Sequence, residues 1–168
     1  MPLNLLKTYN SLLELNTYND FQRKQSLLGI FNRDIANNEN FRFKGKQITP
    51  TPADGVIKME TLFTHLTTVI IDKATRKREF DLDRSVRLHW VKYHIEERKP
   101  SNMYLFSIKE PDGLRTYLYD KDEKYVIIFE PLRDRSAYYL ITAYYLKGKD
   151  AKRDKIMKKY NRRLNEIL

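Results

Sequence analysis

The residues best suited to chemistry in this sequence lie close together, in the segment from 82 to 98. Arg87 and His94 are seven residues apart, so on an α-helix their side chains lie nearly above one another. Arg84 and Arg98 fall within one turn to either side of that line. The spacing therefore predicts a helix face with four groups that can carry positive charge.

The same predicted helix carries a second histidine on another side. At 100° per residue, His89 is rotated by about 140° from His94 and shares its side with Lys92. A histidine can take up or release a proton near neutral pH, and a lysine can bind an anion. The helix thus offers an acid or base together with cations for a phosphate.

A second group of polar and aromatic residues follows residue 103, where the pattern predicts strands. Arg115 and Tyr117 alternate onto one face, while Thr116 points to the other. Thr142 and Tyr144 share one face of the last predicted strand. An arginine beside aromatic rings suits a phosphate held next to a stacked base, so these positions are candidates for RNA binding.

This set of side chains matches the cleavage of RNA without a metal or cofactor. That reaction needs a base for the 2′-OH proton, an acid for the leaving 5′-oxygen, and donors for the charge that grows on the phosphate. The sequence has no cysteine, and its three histidines have no familiar metal-ligand spacing. Of the three, His65 is expected to be structural.

The net charge points to a polyanionic partner. The 168 residues include 32 Lys and Arg against 22 Asp and Glu, which gives a net charge of +10. Nucleic acid is the leading partner for such an excess, and an anionic membrane or an acidic protein are the alternatives. The N-terminus has no signal peptide or membrane span, because Lys7 and Glu14 interrupt its apolar residues, so residence in a cytoplasm is expected.

The first part of the chain predicts helices that precede the chemical residues. Apolar residues at helical spacing predict a helical hairpin within residues 1–40, with a second helix from Asn19 or Asp20. We interpret 1–40 as a helical N-terminal extension and 41–168 as an α+β domain of the ribonuclease type. Residues 37–55 predict a loop with at most a short strand at Phe41 to Lys44. Residues 59–65 predict one or two helical turns, and 67–71 predict a strand or an extended connection.

The second part predicts a sheet framed by two helices. Asp81 or Asp83 can cap a helix that runs to Arg98 and is stopped by Pro100. Four β-rich runs joined by short turns then predict a four-stranded antiparallel meander. Ile156 and Tyr160 lie on the apolar side of a final, very basic helix. The predicted fold class is α+β, with N-terminal helices, a four-stranded antiparallel sheet and a C-terminal basic helix.

Three runs resemble a known nuclease family. FDLDRSVRLHWVKYHIEE, RTYLYDKDEKYVIIFEP and YYLITAYYL are similar to the phage-associated nucleases grouped with barnase, EndoU, colicin D and RelE. The likeness covers Phe80 to Leu146. It implies a helix that leads into an RNA-cleaving four-stranded antiparallel sheet, often in a toxin, and a possible partner is then an acidic antitoxin or immunity protein.

The resemblance and the chemistry together suggest roles for individual residues. The positions that match the family are Arg87, His89, Arg115, Thr116, Thr142 and Tyr144. His89 or His94 is the expected general base or acid, and Arg87 and Arg115 are expected to clamp the phosphate. Thr142 or Tyr144 is expected to donate to the phosphate or to orient the 2′-OH. Arg84, Lys92, Thr116 and Tyr117 are the expected RNA-binding residues.

Three other interpretations remain open. The chain could be a non-catalytic nucleic-acid-binding module whose C-terminal helix contacts phosphates without reading sequence. It could be a structural domain of a phage or bacterium whose basic helix faces solvent. A neutralising partner of a toxin is disfavoured, since partners of basic nucleases are expected to be acidic.

Overall fold

The computed structural model describes residues 2–168 and has an α+β architecture. The helices are α1 (Pro2–Leu5), α2 (Asp20–Phe31), α3 (Met59–Thr67), α4 (Leu82–Ser85), α5 (Trp90–Ile95), α6 (Gly148–Lys152) and α7 (Lys155–Asn161), and a π-helical turn at Asn32–Ala36 continues α2. The strands are β1 (Arg42–Phe43), β2 (Lys46–Pro50), β3 (Thr68–Asp72), β4 (Lys77–Phe80), β5 (Met103–Glu110), β6 (Gly113–Asp120), β7 (Tyr125–Pro131) and β8 (Ala137–Tyr145).

The prediction of a four-stranded antiparallel meander as the sheet is wrong. Strands β5 to β8 do pair antiparallel in succession, but the main sheet has six strands in the order β1-β2-β8-β7-β6-β5, and β3 and β4 form a separate two-stranded sheet. Strand β2 pairs with β8 in parallel, with Ile48 beside Tyr138. The sequence does not predict strand β2, because this strand is short, lies among Gly and Pro residues, and pairs with a partner about 90 residues away.

The predicted N-terminal helical hairpin is also wrong in its first half. Helix α1 is a single turn, and most of residues 6–19 have no regular structure. Helix α2 begins where the sequence predicts, because Asn19 and Gln22 form a capping box with bonds of 2.9 and 3.0 Å. The irregular segment is nonetheless anchored, since Leu13 is buried and its N–H donates to the carbonyl of Val86.

The main sheet is covered on both faces. The larger core joins one face to the N-terminal segment, α2, α3 and α5; its members include Leu15, Ile30, Leu62, Trp90, Ile127 and Phe129. The smaller core lies on the other face, where Ile156 of α7 packs with Phe106 and Tyr117. The chain beyond α7 crosses the β5 edge of the sheet, because the N–H of Leu164 donates to the carbonyl of Ser107.

A β-bulge in β8 decides which side chains reach which face. Ile128 pairs with Thr142, but the next residue, Phe129, pairs with Leu140, so Ile141 is the extra residue. Leu140 therefore belongs to the larger core, whereas Tyr144 packs against the smaller one. The simple alternation along β8 that the sequence predicts is interrupted at this point.

The predicted helix from 82 to 98 is two short helices. Between α4 and α5 the hydrogen bonds connect residues three apart, as from Trp90 N–H to the carbonyl of Arg87. Ser85, Val86, Leu88, His89, Trp90 and Val91 are all buried, so this segment has little solvent-facing side. The tighter winding changes the 100° spacing between side chains, and the two residues meet different partners: Arg87 lies over Tyr145, whereas His94 faces Asp120.

Candidate phosphate-binding site

One guanidinium lies at the centre of the candidate site. Nη1 of Arg84 donates to the carbonyl oxygens of His65 (2.8 Å) and Thr68 (3.0 Å) and to Oγ1 of Thr142 (3.1 Å). Its Cζ lies 5.6 Å from the ring centroid of Tyr144. We call His65, Thr68, Arg78, Arg84, Thr142 and Tyr144 the Arg84 cluster.

Short-range structure explains how Arg84 reaches the sheet. Asp81 caps α4 by accepting from the Arg84 N–H, and its own N–H donates to Thr67 at the end of α3 at 2.9 Å. Helices α3 and α4 both contact β8, beside the half of that strand that β2 does not cover. The bulge at Ile141 then turns Thr142 toward them.

The Arg84 cluster has more positive charge than its carboxylates balance. Nε of Arg78 donates to Oγ1 of Thr68 at 2.8 Å, which brings a second guanidinium beside Arg84. Within residues 2–168, Asp81 is the one carboxylate within 4.0 Å of Arg84, at 3.9 Å, and Arg78 has none. Nε of Arg84 is buried and makes no hydrogen bond among the described residues. Such a surplus of donors and charge favours an anion.

His65 completes the cluster, although the sequence pattern did not single it out. Burial lowers the pKa of His65 below its ordinary value of 6.5, and the charges of Arg78 and Arg84 lower it further. The imidazole is therefore neutral at pH 7 and able to accept a proton. Its position in the last turn of a helix that leads directly into a strand was the available sequence signal.

Two tyrosine hydroxyls lie on the same sheet face as the cluster. Burial raises the pKa of Tyr144, so its hydroxyl remains protonated beside Arg84. The hydroxyl of Tyr117 donates to Oε1 of Glu110 at 2.6 Å and accepts from Nζ of Lys159 at 3.0 Å. The ring of Tyr117 stacks on that of Phe106.

Arg115 is on this face but is already paired. Its Nη1 donates to Oε1 of Glu130 at 3.0 Å. Thr116 points to the opposite face, where it is buried and exchanges a 2.8 Å hydrogen bond with Ser107. Of the predicted strand residues, Thr142 and Tyr144 contact Arg84 directly.

The other predicted helix residues lie outside the Arg84 cluster. Arg87 stacks over the ring of Tyr145 at 4.0 Å and donates to the carbonyl of Asp83 at 2.6 Å. Lys92 forms an ion pair of 3.8 Å with Glu96. His89 is buried against the carbonyl of Thr8 at 3.3 Å.

His94 belongs to a buried ionic network instead. Its Nδ1 lies 2.7 Å from the carbonyl oxygen of Trp90 and its Nε2 lies 2.8 Å from Oδ2 of Asp120. Lys99 and Tyr9 also donate to Asp120. Although burial opposes it, these three donors hold the pKa of Asp120 well below its usual range.

Comparison with known proteins adds no family assignment. No protein-family model matches the chain, and neither curated proteins nor solved structures contain a match to it. Within residues 2–168, no three His, Asp or Glu side chains are placed to hold a metal ion. No helix in the described part of the chain is long and apolar enough to cross a membrane.

Proposed function

We propose that this protein is a metal-independent endoribonuclease and that the Arg84 cluster is its active site. The observation that carries the proposal is the cluster itself: the guanidinium of Arg84 contacts Oγ1 of Thr142 and the carbonyl of His65, and its nearest carboxylate is 3.9 Å away. Arg78 lies beside it, and both arginines are close enough to the imidazole of His65 to lower its pKa. Phosphate is the anion that nucleic acid supplies, and the net charge of +10 favours nucleic acid as the partner.

Each residue has a role that its environment supports. His65 accepts the proton of a 2′-OH, and the 2′-oxygen then attacks the adjacent phosphorus. Arg84 and Arg78 stabilise the charge that develops on the non-bridging oxygens. The P–O5′ bond breaks, the hydroxyl of Tyr144 supplies a proton to the leaving oxygen, and a 2′,3′-cyclic phosphate is formed.

In this proposal the general acid and base are not the histidines that the sequence analysis favoured. His89 and His94 are buried in the core and not available to a substrate, whereas His65 is only half-buried. His65, from outside the resembling stretch, takes the role of general base. We place the enzyme's action in a cytoplasm, restrained by an acidic antitoxin or immunity protein.

The alternative of a non-catalytic binding module is favoured by one observation, the basic surface of α6 and α7. The two functions differ in what happens to bound RNA. A module leaves it intact, whereas the enzyme converts it to fragments with cyclic phosphate ends.

The decisive experiment is incubation of the protein with total RNA in EDTA, followed by analysis of the fragment ends. We expect cleavage by the unaltered protein, none by Arg84→Gln, and full cleavage by Arg42→Gln, which removes an exposed arginine of β1, an edge strand of the sheet. RNA that stays intact between pH 5 and 8 refutes the enzyme. Equal cleavage by Arg84→Gln refutes the site.

A further inference from the structure

The outer side of α6 and α7 carries a strip of positive charge that the reaction itself does not use. Between residues 152 and 163 there are seven Lys and Arg against one Asp, a net charge of +6 within a chain of +10. Six of these cations are exposed and have no carboxylate within 4.0 Å among residues 2–168: Lys152, Arg153, Lys155, Lys158, Arg162 and Arg163. We call these six residues the α6–α7 strip.

Because the apolar side chains of α7 are packed against the sheet, the α6–α7 strip presents only charged side chains to solvent. Ile156, Met157 and Tyr160, the apolar residues of α7, pack against the smaller core of the sheet. Lys155, Lys158 and Arg162 follow at spacings of three and four, so they project together from the opposite side. An amphipathic helix that binds a membrane inserts its apolar face, and here that face is occupied. The strip therefore fits a water-exposed polyanion better than a bilayer.

The helix that carries most of the strip packs on the same face of the main sheet as Thr142 and Tyr144 of the Arg84 cluster. Lys159, on the inward side of α7, contacts the hydroxyl of Tyr117 at 3.0 Å. Tyr117 pairs with Ile128, which pairs with Thr142, so these three residues form one row across β6, β7 and β8. At the normal strand spacing, the row spans about 10 Å from Tyr117 to Thr142. Because Tyr117 is buried beneath α7 and Lys159 pairs with Glu110, a strand that reaches from the strip to the cluster passes outside this row.

A stacked arginine in the strip indicates a single strand rather than a duplex. The guanidinium of Arg163 lies 4.0 Å from the ring centroid of Tyr160, which holds its plane in place. Arginine planes and aromatic rings beside a basic track are typical of sites that bind unpaired bases and their backbone. A splayed nucleotide is also what attack by a 2′-OH requires.

We propose that the α6–α7 strip is the binding track for single-stranded RNA, and that it holds the strand whose scissile phosphate lies in the Arg84 cluster. The proposal rests on the proposed function for the identity of the polyanion as RNA. The strip contacts the phosphates of the RNA and does not read its sequence. These contacts therefore determine the affinity of the protein for RNA and the dependence of that affinity on salt.

The test separates binding from cleavage by using a strand that cannot be cut. A fluorescent 12-nucleotide 2′-O-methyl oligouridine is titrated with the unaltered protein from 50 to 200 mM KCl, and anisotropy gives Kd. In the variant Lys152→Gln, Lys155→Gln, Lys158→Gln, Arg162→Gln we expect Kd to rise at least 10-fold at 50 mM KCl. The slope of log K against log salt should fall by about 2 to 3, since each single-strand phosphate contact contributes about 0.7.

A matched variant controls for net charge. Lys24→Gln, Arg42→Gln, Lys44→Gln, Lys58→Gln removes four exposed cations that also lack a carboxylate partner among residues 2–168, and all lie outside α6 and α7. For this control variant, the slope of log K against log salt should equal that of the unaltered protein. Equal slopes for all three proteins overturn the proposal. So does a strip variant that loses binding to vesicles of phosphatidylserine while it keeps oligouridine binding. Because the probe is uncleavable, a failure to cut total RNA refutes the enzyme without affecting this outcome.

Discussion

The hydroxyl of Tyr9 donates a 2.6 Å hydrogen bond to Oδ2 of Asp120, which joins the irregular N-terminal segment to the end of β6. The ring of Tyr9 stacks on Tyr93 at 4.1 Å. Because Asp120 is buried and also accepts from His94 and Lys99, this bond is made to a charged acceptor in a dry environment. We infer that it is a main anchor of the segment.

Removal of that hydroxyl should destabilise the protein without disturbing the rings. Tyr9→Phe is expected to lower the free energy of unfolding by about 2 kcal/mol, the usual contribution of a hydrogen bond to a charged group. Urea unfolding measures the change. Tyr93→Phe keeps the same stack and should have an effect below about 0.5 kcal/mol. Equal effects of the two substitutions would show that the bond contributes nothing.

Loss of charge at Asp120 should have a larger effect than loss of the tyrosine hydroxyl. Asp120→Asn leaves His94 and Lys99 facing a neutral amide in the interior, which typically costs about 3 to 5 kcal/mol. Asp122→Asn, at an exposed position that also pairs with Lys99, should have a much smaller effect, because solvent screens that ion pair. Thermal and urea unfolding of both variants give the comparison.

Burial of His89 should make the protein sensitive to mild acid. Burial lowers the pKa of His89 below 6.5, so the unfolded chain takes up a proton at a higher pH than the folded protein. The corresponding stability is complete above pH 6.5 and is lost as the pH falls, by at most about 1.4 kcal/mol per pH unit. Between pH 7.5 and 5, urea midpoints of His89→Gln should therefore fall less steeply than those of the unaltered protein. Parallel pH curves would contradict the prediction.

The general base should leave its signature in the pH dependence of cleavage. Because burial and two arginines lower the pKa of His65, the rate should fall on the acid side with a midpoint below 6.5. His65→Gln should lose at least 100-fold in kcat and also lose this acid limb. An acid limb that persists in the variant assigns the base to another residue.

Two arginines three residues apart provide a matched test of the site. Both Arg84 and Arg87 are partly buried, and the Nε of each is buried without a hydrogen-bond partner in the described structure. They differ in their contacts: Arg84 contacts Thr142, whereas Arg87 stacks on Tyr145. Arg84→Lys should lower kcat/KM by about 100-fold or more, the usual effect of losing a transition-state donor. Arg87→Lys should change it less than about threefold. Melting temperatures show whether folding, rather than chemistry, explains a loss.

The threonine hydroxyl can be removed with little change in shape. Thr142→Val keeps the volume but leaves Arg84 without its side-chain acceptor, so we expect kcat to fall by about 10-fold or more. Thr142→Ser retains the hydroxyl and should keep most of the activity. If the valine and serine variants cleave RNA equally, the hydroxyl has no role in the reaction.

Local signals in the sequence predicted part of this fold well. The capping residues of α2 and the turns between β5, β6, β7 and β8 act over a few residues, and each element forms as predicted. The parallel pairing of β2 with β8 depends on residues far apart in the chain, and no local pattern reports it. The expected helix from 82 to 98 failed because burial on all sides replaced the amphipathic pattern that normally fixes helical spacing.

The residues of the candidate site also divide into those that the sequence indicates and those that only the packing brings together. Thr142, Tyr144 and Arg84 were selected by residue type, and they meet because β8 and α4 pack together. His65 was missed because its relation to Arg84 depends on the packing of α3 against β8. The histidines that the sequence favoured are held in the core by hydrogen bonds to backbone carbonyls, which spacing alone does not reveal.

The bulge at Ile141 has a consequence for how this protein can change in length. Deletion of Ile141 would join Leu140 to Thr142 and restore a regular ladder in which both side chains keep their present faces. Deletion of Ala143 would instead turn Tyr144 toward the opposite core. In evolutionary terms, position 141 is where homologues of this chain could gain or lose one residue in β8 while Leu140 and Thr142 keep their faces of the sheet.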